Sequence, residues 1–484
     1  MIPNRTILVT LTAALLTMSL EGRTWTDAAT GRTIEADFLG LQDGKVALKR
    51  VDGQEFELPL AKLSAADQDF VREQAASGVS TGQASEDSWP GWRGPNRDDL
   101  SPATGLLKSW PKEGPELLWT FEDGGKGYSS PAIVGDRLYF TGSRDGKALV
   151  ICLDASSGKE LWNAPIGDDP EDGYNTKWGS GPRGAPTISD GLVFAITANG
   201  ELACLSATDG KLRWRRNFVD DFGGKVPSWG YAESPLVDGD KVIVTPGGKD
   251  GAIAALDKST GKELWRSKDL HDDAQYASIV VVEAGGKRQY VQLFMKNVAG
   301  VDSETGELLW EAPWNDGRTA VIPTPVVNGD QVYITSGYGA GSMLLQVTAD
   351  SAKELWKNKV MKNHHGGVLL VDGHLYGFSD GGGLTCQSLE TGERVWNEKG
   401  QGIQKGTVHY ADGMLYCIDE HEGSVFLVEA SPKAYKEHGR FPMPRETKLR
   451  EGTQGKVWTH PVVLNGRLYL RDQDLLFCYD VGAR

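Results

Sequence analysis

The chain has 484 residues, long enough for two or three domains or for one large repeat structure. Apolar residues make up 39 % and charged residues 24 %, a globular balance that excludes a mainly disordered chain, and the 61 glycines favour an architecture of many tight turns. A net charge of −15 excludes a nucleic-acid partner, because phosphate binding needs clustered Lys and Arg to replace counterions.

The chain opens with Arg5 followed by "TILVTLTAALLTMSL" and then Glu21. A basic residue before a short apolar run is the layout of a Sec-type signal peptide, assigned to residues 1–21 and predicting a periplasmic or secreted protein. No Cys precedes Cys152, so lipid attachment is not expected. No later stretch reaches the ~18 consecutive apolar residues of a membrane span, so the mature chain is predicted to lack one.

Residues 22–74 alternate apolar and polar positions between turn signals at "TGR", "QDGK" and "VDGQ", which predicts several short strands. A short helix, "SAADQDFVRE", follows, with Ser64 and Asp67 spaced as a capping box. The pattern reads as a small SH3-like barrel. Through "RTWTDA", "TIEADFLG", "DGKVALKRVDG" and "LPLAKLSAADQDFV" it resembles the SLA homology domain of eukaryotic endocytic adaptors, in the form found in secreted planctomycete-type proteins. The resemblance implies a module that binds short peptide signals. Residues 75–88 are small and polar, the composition of a flexible linker.

The linker ends abruptly at "SWPGWRGPNRDDLSP", residues 88–102, and self-similarity at a fixed period follows. One half of the repeat is a turn leading to Trp, as in "LDASSGKELW" (Trp162), "LSATDGKLRW" (Trp214) and "LDKSTGKELW" (Trp265). It recurs at Trp310, Trp356 and Trp396. Asp or Ser opens the turn, Gly takes its left-handed position, and a strand delivers the Trp. Trp at intervals of 40 to 52 residues predicts equivalent docking sites between neighbouring units. The seventh unit lacks its Trp, and Tyr435 or Phe441 is the expected substitute.

The other half of the repeat is a pair of strands around a tight turn, seen eight times between "SSPAIVGDRLYF" and "HPVVLNGRLYL". Four short strands per unit are the signature of a β-propeller blade. The eighth unit ends at "LLFCYDVGAR" without room for an outer strand, whereas an orphan Trp strand, "PELLWTF" with Trp119, precedes the first unit. Residues 115–121 are therefore expected to complete the last blade and close the ring. "WPGWRGPNRDD" is then expected to run over that blade and cover the seam. The fold class is all-β, an eight-bladed propeller over residues 89–484 preceded by the SH3-like domain.

Cys152, Cys204, Cys386 and Cys478 occupy one equivalent slot that elsewhere holds Ala255 or Gly300. A slot shared by Cys, Ala and Gly is a small buried position, so neither disulfides nor a metal site are expected.

The segments leading into the first strands should line the central funnel. They carry Arg183, Trp229, Tyr231, Glu233, Tyr276, His364, His365, Lys405, His409, Trp458 and His460, including four of the eight His. Aromatic rings among convergent polar groups are the usual lining of a ligand pocket. No spacing among them specifies a metal. "GDDPEDGYN" at 167–175 lacks the alternating acids of a calcium loop and reads as a solvated acidic loop.

The repeats resemble the quinoprotein-like, or PQQ-like, propeller family, and "WPGWRGPNRD" is similar to the start of its planctomycete-type members. One branch, the quinoprotein alcohol dehydrogenases, holds pyrroloquinoline quinone and calcium at the ring centre beside a disulfide of adjacent Cys. This chain has no adjacent Cys pair and no CxxCH haem motif. The other branch includes the propeller lipoprotein of outer-membrane protein assembly, which implies a scaffold for partner chains. The expectation is an exported, non-catalytic binding platform for envelope or secreted proteins or a small ligand, with no cofactor. The alternative is a quinoprotein dehydrogenase-like enzyme with pyrroloquinoline quinone and calcium in the funnel.

Overall fold

A computed structural model describes residues 23–71, apart from 29, 43–44, 51–53, 65 and 69, and residues 88–483, apart from 171, 315–319 and 401–402. The signal-peptide segment and all of the linker except Ser88 lie outside the described residues. The chain divides into two compact units, Met1–Gln83 and Ala84–Arg484.

In the first unit, strands Arg23–Thr26, Thr33–Gln42, Lys45–Arg50 and Glu55–Pro59 form an antiparallel meander in chain order. Its alternating residues put Trp25, Ala36, Val46 and Leu48 on one buried face with Leu63 and Val71. The capping pair forms only in part. Ser64 Oγ accepts from the Asp67 N–H at 3.3 Å, but the Asp67 carboxylate takes the Thr26 N–H at 2.8 Å rather than that of Ser64. The helix start is thus tied to the first strand.

The second unit contains eight sheets, each with four antiparallel strands, and one of them carries a fifth, parallel strand. The first blade comprises Ala132–Val134, Arg137–Arg144, Lys147–Asp154 and Glu160–Asp168. The eight first strands start within a few residues of the eight openings, the last at Val462–Leu464. Blade eight takes its outer strand from Glu116–Phe121, which pairs with Leu475–Asp480 and sets Trp119 opposite Cys478. Hydrogen bonding across this seam leaves the ring no open edge.

The turn chemistry is local and repeated. Asp257 Oδ1 accepts the N–H groups of Ser259 and Thr260 at 3.1 and 2.8 Å, and Gly261 follows at φ +69°. A Cβ at Gly261 would come within 2.6 Å of the Trp214 ring of the preceding blade, so Gly is required both for backbone and for space. Trp119, Trp162, Trp265 and Trp356 rest in the same way on Gly158, Gly210, Gly306 and Gly392 of the next blade. Trp214, Trp356 and Trp396 also donate their indole N–H to the next blade's turn, to the carbonyls of Lys258, Leu389 and Ser431 at 2.9 Å.

The small slot has a direct cause. Cys152, Cys204, Ala255, Gly300, Cys386 and Cys478 each sit opposite a Trp in the register of the third and fourth strands. A Cβ at Gly300 would overlap the Trp310 ring. All five Cys are buried and unpaired. Cys417 lies apart from the slot, on strand Met414–Asp419.

Candidate functional site

The segment "WPGWRGPNRDDLS" does not run over the last blade as expected. It crosses the centre of the ring. Trp89 exchanges backbone hydrogen bonds with Ile133 of blade one at 2.7 Å, and Pro90 accepts from Ile188 N of blade two at 2.7 Å. Arg97 donates to Ser234 O and Pro235 O before blade three, at 2.8 and 2.5 Å, and to Ile279 O before blade four at 2.7 Å. Trp92 Nε1 donates to Thr324 Oγ1 ahead of blade five at 2.8 Å, and Arg93 donates to Val368 O of blade six at 2.6 Å. Leu100–Ser101 adds a short parallel strand to blade seven, while Ser101 Oγ donates to Val463 O of blade eight at 2.6 Å. First strands surround the axis of a propeller, so one segment can reach all eight only by filling the channel. The physical reason is its set of free donors. Arg side chains satisfy carbonyls that inner strands otherwise leave unpaired, and the Trp92 indole a hydroxyl.

Arg93, Arg97 and Asp99 are buried here at positive φ, a backbone that L residues adopt only where surroundings hold it. Asp99 Oδ1 accepts from His409 Nδ1 at 2.8 Å, and Oδ2 lies 3.3 Å from His460 Nδ1. His409 Nε2 accepts the Val463 N–H at 3.2 Å, which fixes the tautomer with the proton on Nδ1. Burial alone would raise the Asp99 pKa, but the two imidazoles and Arg93 hold it well below the usual carboxylate range. Glu233 has weaker compensation: burial pushes it up to about 7 despite the Thr245 N–H and the nearby Arg97.

The expected funnel residues therefore separate into three groups. Glu233, His409 and His460 are buried against the axial segment instead of lining an open funnel. Tyr231 is not a funnel residue at all. It lies in the core between blades two and three, its ring 5.1 Å from Phe218 and its hydroxyl donating to Pro246 O at 2.9 Å. Gly230, at φ +80°, and the bond from Tyr231 N–H to Ala198 O at 2.8 Å seat the side chain in that core.

The others lie at the mouth above the axial segment. His365 stacks on Trp458 with ring centroids 4.3 Å apart, His364 lies 3.8 Å from His365, and Lys405 Nζ donates to His364 Nδ1 at 3.1 Å and pairs with Asp380 at 3.0 Å. Burial lowers the pKa of both imidazoles, that of His364 well below its usual range, and so favours their neutral forms. Arg183 donates to Gly179 O and Gly181 O at 2.9 and 2.7 Å, and its guanidinium sits 5.1 to 5.6 Å from the Tyr174 and Tyr128 rings. Trp229 and Tyr276 form a further pair, 5.9 Å apart.

Reasoning from first-strand openings missed Tyr338, Asp380 and Glu420. They sit on the turns between second and third strands, which open on the same face. The acidic stretch 167–175 is largely solvated as expected, with Asp168 and Asp172 exposed, but Asp169 is buried and accepts from the Tyr174 hydroxyl at 2.8 Å.

Residues 19–78 match the family described as SLA1 homology domain 1, and residues 146–398 match the family described as outer membrane protein assembly factor BamB. The chain is 25 % identical over 353 residues to the outer membrane protein assembly factor BamB of Burkholderia pseudomallei, covering 64 % of this chain and 87 % of that protein. BamB of Moraxella catarrhalis superimposes with a TM-score of 0.55 at 18 % identity, over 75 % of this chain and 97 % of that one. Quinohemoprotein alcohol dehydrogenase of Comamonas testosteroni superimposes with a TM-score of 0.62 at 13 % identity, over 85 % and 84 %. At such identity the two structures establish the fold alone, shared by a dehydrogenase and an assembly factor. With the matched repeats covering more than half its length, the chain belongs to the PQQ-like repeat family described as outer membrane protein assembly factor BamB.

Proposed function

We propose that this protein is an exported, non-catalytic docking platform of the cell envelope, its propeller holding envelope or secreted proteins and its SLA homology domain adding a second, peptide-binding contact. The observation that carries the reading is the axial segment. Thirteen residues from Trp89 to Ser101 bond into all eight blades, which makes the ring a cross-braced disc and occupies its centre with protein. A rigid disc with a filled axis suits presentation of its outer strands. The relatives' own name speaks of outer membrane protein assembly.

The donor set does not fit the calcium and quinone of the alternative reading. Among the described residues no group of three His, Cys, Asp or Glu is placed to hold a metal ion, and the five Cys lie singly within separate strands. No helix among the described residues is long and apolar enough to cross a membrane, which suits a chain that works on partners from outside the bilayer.

Two arms test the reading. Photocrosslinking from a benzoylphenylalanine placed at Leu264 or Leu355, both exposed on outer strands, should give a discrete adduct with an envelope protein in fractionated cells. Calorimetric titration of the whole chain with pyrroloquinoline quinone and Ca²⁺ should give no heat. Micromolar binding that Ca²⁺ strengthens would overturn the platform in favour of an oxidoreductase.

A further inference from the structure

The mouth holds a row of rings that the docking reading leaves unused. It begins at Tyr338, whose ring meets His364 edge-on at 4.4 Å. It continues through His365 to Trp458 and ends on Tyr128 and Trp178, 5.2 and 6.3 Å beyond Trp458. Both ends are open to solvent: Tyr338 is 56 % and Trp178 38 % exposed. Large rings on a rim are normally turned inward, because burying them is favourable by roughly 2 kcal/mol or more.

Tyr338 is held outward at a cost. Its φ of +54° is in the left-handed region, uncommon for a bulky side chain, and the Asp380 carboxylate secures it by accepting its N–H at 3.0 Å. Asp380 in turn is paired with Lys405. On the far side of the row, Glu420 accepts the Trp458 indole N–H at 2.9 Å. The ring positions are therefore set by charged groups that still face the mouth.

Two buried ring nitrogens nearby lack hydrogen-bond partners. The Trp229 indole N–H makes no hydrogen bond, and His365 Nδ1 lies 3.7 Å from Glu420, too far for one. Arg183 and Lys405 stand beside the row together with Asp380 and Glu420. Two open rings at the ends of the row, with carboxylates and amines between them, suit a ligand with apolar ring faces and a hydroxyl rim.

We propose that the aromatic row from Tyr338 to Trp178 is a binding site for a neutral saccharide chain, whose pyranose faces lie on the two open end rings, Tyr338 and Trp178, and whose hydroxyls bond to Asp380, Lys405 and Arg183 between them. The proposal stands apart from protein docking, since it uses the mouth and not the outer strands.

The test is calorimetry and tryptophan fluorescence of the full chain with four neutral hexasaccharides: β-1,4-glucan, β-1,3-glucan, α-1,4-glucan and β-1,4-linked N-acetylglucosamine. At least one should bind with a submillimolar Kd and shift the fluorescence. Trp178→Ala and Tyr338→Ala should each weaken it about tenfold, which is roughly 1.4 kcal/mol for one lost stacking face. Trp178→Phe should retain most of the affinity, and the melting temperature should not move in any variant. Absence of binding to all four at millimolar concentration would overturn the proposal. So would equal affinity in the Ala variants. Salt-sensitive binding of hexagalacturonate alone would replace it with an anion site.

Discussion

Glu233 is the carboxylate whose folded environment opposes its charge most clearly. It is 2 % exposed, accepts the Thr245 N–H, and has a pKa raised from 4.5 to about 7 by burial. A raised carboxyl pKa means that the folded state favours the proton. The contribution to stability is fully present below the unfolded value of 4.5 and is lost as pH rises through about 7. Glu233→Gln keeps an acceptor for Thr245 and removes the ionisation. It should therefore unfold at a higher temperature than the parent at pH 8, by an amount corresponding to up to ~3 kcal/mol, and at the same temperature at pH 4. Thermal unfolding followed by circular dichroism at the two pH values checks this; a lower Tm at pH 8 would mean that the charge is needed by Arg97. Asp99 has the opposite sign. Its two imidazole partners stabilise the anion, so its contribution is present above the unfolded value of 3.8 and is lost in strong acid. Neither role was legible in the sequence. Glu233 and His409 looked like funnel residues because their segments lead into first strands, and only the axial segment, supplied from elsewhere, turns the funnel there into core.

At the scale of the element, blade seven explains how a missing repeat residue is replaced. In its register Gly439 stands opposite Leu427, where the other blades have Trp. Trp110, on the segment following the axial crossing, lies against that glycine and donates its backbone N–H to His438 O at 3.0 Å. Its ring is 5.8 Å from Tyr416, close to the 5.9 Å between Trp162 and Tyr139 in blade one. Phe441 is buried beside it at 5.1 Å, whereas Tyr435 packs on Trp396 of the preceding blade. The substitution thus uses Trp110 and Phe441 together. Trp110→Ala would leave a cavity between blade seven and the closing segment, and should cost about 3 to 5 kcal/mol, read as a fall in the urea midpoint. Leu118→Ala, on an exposed outer-strand position, should cost under ~1 kcal/mol and serves as the comparison. The turn-to-Trp motifs could be read from sequence because Asp, Gly and Trp act within ten residues of each other. Trp110 could not, since its place depends on a strand hundreds of residues away.

For the whole molecule, the decisive features are closure and bracing. The outer strand Glu116–Phe121 completes blade eight, and residues 89–101 tie the inner strands together. A chain beginning at residue 88 should remain monomeric and cooperative in unfolding. A chain beginning at residue 122 loses both devices and exposes Leu475–Asp480 as an edge. It should associate or precipitate in a concentration-dependent way, measured by light scattering after size exclusion. Equal behaviour of the two would show that the eight sheets hold the ring without either device.

The sequence by itself determined the blades. Strand alternation, turn chemistry and the Trp that rests on the next turn's glycine are short-range or periodic, and a repeat states them several times over. It also determined the small slot opposite six of the Trp residues, where Cys, Ala or Gly lies beneath the ring, although Leu344 faces Trp356 in blade five. The tertiary structure alone decided what lies at the axis and which face carries a row of open rings. Those outcomes depend on carbonyls and side chains brought together from eight blades, and no local pattern encodes a meeting of groups so far apart in the chain.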